Sequence, residues 1–203
     1  MAELDAATDE NPCLTFFEAN SGNNQKVKLL REQPRLTAFE GLTASRLSPC
    51  IVGDAEEVLR QVFSPLHVEQ DTGALKPTAF DDASDKGLSV DRVDHQVEHA
   101  SVQAGHARAA VANAKEGSTP RKLHGIAKLK VSEVRSLCDG EARHFGVYDT
   151  ALDANRAHAD ICQLIAGKSS GRRARSKLVE MAQPFVNVVV EPEARDIIPT
   201  ESA

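Results

Sequence analysis

The sequence predicts a single α+β domain, with a small mixed or antiparallel sheet, a long amphipathic helix over 93–115 and a second helix near 171–183. Three observations carry this. Residues 93–115 place apolar side chains at alternating steps of four and three, as an amphipathic helix does. VLRQVF (58–63), LSVDR (88–92) and FVNVVV (185–190) read as strands bounded by turn residues. The order of these segments lacks the strand–helix–strand rhythm of a parallel sheet.

The chain has 203 residues, 41% apolar and only 4% aromatic, with no Trp. That length supports a core of ordinary size, built here from Val, Leu, Ile and Ala. The net charge of -6 favours solubility and argues against a dedicated nucleic-acid binder. No apolar run reaches the roughly 20 residues that span a bilayer. The acidic start, MAELDAATDENPC, has neither the basic nor the apolar region of a secretory signal. Cys13, Cys50, Cys138 and Cys162 are widely spaced with no CxxC, which predicts reduced thiols in a cytoplasmic protein.

Residues 1–12 read as a mobile acidic tail, 13–190 as the domain and 191–203 as a C-terminal tail. CLTFFEA (13–19) is predicted as a short strand, and 25–52 as short irregular elements. Gly53-Asp54 predicts a turn or a helix cap ahead of VLRQVF. The stripe Val93, Val97, Ala100, Ala104, Ala107, Val111 and Ala114 predicts the buried face of the long helix. HGIAKLKVSEVRSLC (124–138) opens as a strand and turns into a short helix that Ser132 can cap. GVYD (146–149) is a brief strand or turn. DTALDANRAHADICQL is compatible with a helix or with a strand HADICQ. In the strand, His158, Asp160 and Cys162 share one face. A loop and a helix follow at 167–183.

The candidate site begins with Arg60, a charge inside an apolar strand that needs a partner. With Ser89, Asp91 and Arg92 it has the donors for an anion pocket, or for a structural pair with a central aspartate. Arg60, Ser89, Arg92 and His158 are therefore the predicted ligand-binding residues, and Arg60, Ser89 and His158 the catalytic candidates. Cys162 near His158 raises a thiol nucleophile, but no oxyanion hole is legible beside it. Asp81, Asp82 and Asp85 lack the glycine and terminal Glu of a calcium loop and read as a solvated turn. His95, His99 and His106 lie opposite the apolar stripe and read as a solvated face. No metal site is predicted, and no cofactor is named. Lys168, Arg172, Arg173, Arg175 and Lys177 form a basic run open to nucleic acid or an acidic partner. Almost no aromatic residues are present to stack bases.

The order LRQVF, AF, LSV and N-x-A-H-A over residues 57–163 resembles a family of small bacterial proteins that carry an L-x-R-x-V opening and a later N-P-A-H-A motif. Arg156 stands where that family often has proline. The resemblance implies that HADICQ is a loop-to-strand segment, and it assigns no activity. A weaker, fold-level likeness is to ADP-ribosyltransferase-like domains, including RES-type toxins. It implies an NAD- or nucleotide-processing enzyme in which Arg60 holds phosphate, though no late catalytic Glu can be placed. The leading expectation is an accessory or binding protein for a protein partner or a small anionic ligand, with a defence or toxin-type system as its setting. The enzyme reading comes second and nucleic-acid binding through 168–177 third.

Overall fold

The computed structural model describes residues 11–34, 36–182 and 186–187. The chain opens with α1 (Pro12–Ala19) and α2 (Lys26–Arg31), then a 3-10 turn at Leu36–Gly41. The strand expected at 13–19 is thus a helix. Asn11 caps it by accepting from the Leu14 N–H at 3.0 Å, and Pro12 supplies a first-turn φ. Its Cys13, Phe16 and Phe17 are buried together, which only a helical period allows.

β1 (Glu57–Ser64) and β2 (Leu88–Arg92) form where LRQVF and LSV stand. The connection between them contains a 3-10 turn, Pro77–Ser84. A 3-10 turn at Val93–His95 leads into α3 (Glu98–Asn113), the long helix. β3 (Lys122–Lys130) runs directly into α4 (Val131–Ser136). Lys130 holds the cap position expected for Ser132, whose N–H instead donates to the Asp54 carbonyl. The hairpin β4 (Cys138–Asp139) and β5 (Ala142–Arg143) precedes β6 (Phe145–Tyr148) and β7 (His158–Gln163). α5 (Lys168–Met181) and β8 (Val186–Asn187) complete the described fold. The remainder of FVNVVV and both expected tails, apart from residues 11 and 12, lie outside the described residues.

The sheet is antiparallel, ordered β6-β7-β2-β1-β3-β8. One face carries Val58, Val62, Leu88, Val90, Leu129, Val147 and Ile161 and packs against α4, α5 and the 77–84 turn. On the other face, α1 and α2 cover Tyr148 and Cys162, while α3 covers Phe63 and Leu123. Among the described residues, no helix is long and apolar enough to cross a membrane.

α3 forms, but it buries a different face from the one its apolar stripe predicts. Val97 and Val111 are 71% and 62% exposed, while Ser101, Gly105 and Ala109 are buried. Close approach decides this. A Cβ on Gly105 would stand 2.7 Å from Leu123, and the Ser101 hydroxyl donates to Asp91. Backbone proximity and one buried hydrogen bond outweigh the modest transfer gain of two valines.

Candidate functional site

The four predicted ligand residues do not converge. Strand alternation and pairing put Arg60 and Arg92 on the face that carries Val58, and Ser89 and His158 on the opposite one. Arg60 is 5% exposed. β1 and β2 pair over only two positions, Val58 with Arg92 and Leu59 with Asp91. Just beyond, Arg60 donates to the Ser89 carbonyl at 3.2 Å and to the Ala79 carbonyl at 3.1 Å. Asp82 lies 3.7 Å away, so the acidic turn is ion-paired through this residue rather than simply solvated. Burial pulls the Arg60 pKa down to about 10, against the Asp82 charge that raises it.

His67 beside it is pushed down to about 4, first by burial and then by the Arg60 charge. Its Nδ1 accepts from the Phe63 N–H at 3.1 Å, which requires the neutral ring. The unfolded chain therefore binds the proton first as pH falls below 6.5. Stability through this group is present above pH 6.5 and drops by about 3 kcal/mol on the way to about pH 4. His67→Asn keeps an acceptor and should flatten that slope in denaturant melts. An unchanged slope would remove His67 as its source.

Arg92 has no exposed surface. Its Nε and Nη2 grip both oxygens of Glu56 at 2.7 Å, and Nη1 donates to the Cys50 carbonyl at 2.8 Å. This fork is filled from within the protein.

His158 is on a strand, and with it Asp160. They alternate with Ala159 and Ile161 and pair across to Asp91 and Ser89. The result is a polar stripe on one sheet face, between the α1–α2 and α3 contacts. Asp91 accepts from Asn155 at 2.7 Å, from Gln61 at 3.5 Å and from Ser101. Asp160 takes Lys26 at 2.7 Å; burial is the largest single influence on that lysine and lowers its pKa, but the Asp160 charge and hydrogen bond, with Cys162 nearby, together raise it. His158 Nδ1 lies 2.8 Å from the Thr150 carbonyl, which can only accept. Nδ1 therefore carries the hydrogen, and in the neutral ring Nε2 holds the lone pair, 3.9 Å from Asp160 Oδ1. His158, Asp160, Lys26 and Thr150 line a cleft of about 430 Å³ walled by Phe17, Arg46 and Leu152. An imidazole lone pair and a carboxylate at that spacing have the geometry to share a proton-bearing group. Cys162 is no part of it. It is fully buried, and burial pushes its thiol pKa far up, so no thiolate forms.

The basic run starts α5, and only part of it faces one place. Lys168, Arg172 and Arg175 join Arg31 of α2 around a cavity of about 420 Å³, where Asp85 is the one lining carboxylate among the described residues. Arg173 faces a different hollow, beside His144, and Lys177 is exposed. Arg175 is ion-paired with Asp81 at 2.9 Å and donates to Gln163 at 2.8 Å. Among the described residues, Arg31 donates only to the carbonyls of Ser84 and Gln163. Among the described residues, Arg31, Lys168 and Arg172 form no salt bridge. Arg31 was missed in the sequence because nothing local ties it to a run 137 positions later.

No family model, curated protein or solved structure matches the chain. The functional reading therefore rests on geometry.

Proposed function

We propose that the protein binds a small anionic ligand, of the phosphate or carboxylate class, in the cavity between α2 and the start of α5. One observation carries this. Arg31, Lys168 and Arg172 surround a single cavity without a carboxylate partner among the described residues. In the His158 cleft, by contrast, Lys26 is matched by Asp160 and Arg46 by Glu18. The placement of the cations supports the same reading. The first turn of α5 holds no acidic residue, and no side chain caps it. Positive side chains at the positive end of a helix destabilise it, and an anion there reverses the sign of the interaction.

The test is titration with inorganic phosphate and pyrophosphate at low salt, read by calorimetry and by backbone amide shifts. Amides at the start of α5 should move. Arg172→Glu should weaken binding about 10- to 100-fold, the worth of one charge-assisted hydrogen bond. Equal affinity in Arg172→Glu, or no movement of those amides, would sink the proposal.

A further inference from the structure

Cys50, Glu56 and His95 come from three separate places: the loop before β1, the turn at 53–56, and the 3-10 turn after β2. The fold brings one donor atom of each within 4.8 Å of the others. Cys50 Sγ lies 3.7 Å from His95 Nε2. A tetrahedral ion with a metal–sulfur bond of about 2.3 Å and a metal–nitrogen bond of about 2.0 Å needs these atoms about 3.5 Å apart. His95 therefore meets Cys50 rather than His99 of its own neighbourhood, and the separation is already close to that of a ligated pair.

We propose that this cluster is a binding site for a zinc-class divalent transition-metal ion, with Cys50 Sγ, His95 Nε2 and a Glu56 carboxylate oxygen as ligands. The donor set selects the ion. Thiolate and imidazole suit zinc, and a hard cation such as calcium or magnesium takes oxygen cages instead. Glu56 has capacity for it. Its Oε1 accepts from the Gly53 N–H at 2.6 Å and from Arg92 at 2.7 Å, while among the described residues Oε2 accepts only from Arg92. One lone pair on Oε2 is left. Arg92 stands behind the ligands, orienting Glu56 and donating toward Cys50 Sγ at 3.2 Å. Fixing ligands from a second layer in this way is how metal sites are tuned. Cys50 and His95 are exposed, which gives the ion an entry path. Three protein ligands leave a fourth position for water.

Binding replaces the Cys50 S–H bond with a sulfur–metal bond, and the proton goes to solvent. Affinity therefore falls in acid. The charges are compatible: the ion adds two positive charges, and Cys50 and Glu56 supply two negative ones.

Cobalt(II) reads the site directly. The reduced full-length protein should give a thiolate-to-cobalt charge-transfer band and intense visible bands that saturate at one equivalent, and zinc should displace them. Cys50→Ser should abolish the charge-transfer band, whereas Cys138→Ser, at the other exposed thiol, should leave it intact. His95→Ala should weaken binding by more than about tenfold. Both Cys50 and His95 are exposed, so circular dichroism should show both variants folded. No band at equimolar cobalt overturns the proposal. So does a band indifferent to His95, which would mean a surface thiol acting alone.

Discussion

Replacing Glu56 with alanine is expected to lower the unfolding free energy by 3–5 kcal/mol, about the known cost of breaking a buried ion pair from one side. The variant leaves Arg92, with no exposed surface, facing the neutral carbonyls of Cys50 and Ile51 and the Cys50 sulfur, with no carboxylate bonded to it among the described residues. Those hydrogen bonds satisfy N–H groups but do not offset a desolvated charge. Exchanging both partners, Glu56→Leu with Arg92→Met, should recover most of the loss, because the penalty lies in the orphaned charge and not in the pair's net strength. Urea melts of the three proteins decide it. A single-variant loss below about 1 kcal/mol would place the pair with exposed salt bridges and refute its buried character. The pH dependence has a definite sign. Burial works to raise the Glu56 pKa, but hydrogen bonds and charge from Arg92 hold it below its ordinary value of 4.5. Its contribution is complete above that value and is lost as pH falls through the lower folded one.

The same arginine shows what was legible in the sequence. A charge inside an apolar strand does demand partners, and Arg60 and Arg92 both have them. For Arg92 the partner is a carboxylate on the turn before β1. For Arg60 it is chiefly a pair of backbone carbonyls where β1 and β2 stop pairing, and nothing in residue types announces where a ladder ends. LRQVF and LSV were legible as strands because each is a short apolar-rich run bounded by turn residues. HADICQ was ambiguous because Ala and Cys fit either period. It resolves as a strand only when Asp91 pairs with His158 and Ser89 with Asp160. CLTFFEA misled because aromatic enrichment favours a strand, whereas the Asn11 cap and Pro12 set a helix. The α3 stripe misled for a related reason. Hydropathy ranks Val above Gly and Ser, but only small residues admit Leu123 and the Asp91 hydrogen bond. The Cys50–Glu56–His95 cluster had no sequence signature at all, since loops with no shared period deliver each ligand.

Asp160→Ala should be the second large loss, again about 3–5 kcal/mol. Asp160 is built in from three sides. Lys26 reaches it at 2.7 Å with both side chains nearly buried. Gly87, at φ +89, turns so tightly over it that a Cβ would stand 2.8 Å from the carboxyl carbon. His158 faces its other oxygen at 3.9 Å. Removing the carboxylate strands the Lys26 ammonium under the Phe17 ring, 5.5 Å from its centre, which returns only part of the lost attraction. The lysine then loses what raised its pKa while burial still lowers it, so the variant's Lys26 should titrate below its ordinary 10.5. A double-mutant cycle with Lys26→Met separates the two possible meanings of this cluster. If Lys26→Met restores stability to Asp160→Ala, the pair is a self-contained structural clamp between α2 and β7. If it does not, the carboxylate is held mainly by the stripe that includes His158. The His158 cleft, rather than the fit of α2 on the sheet, is then what maintains a buried charge at that position.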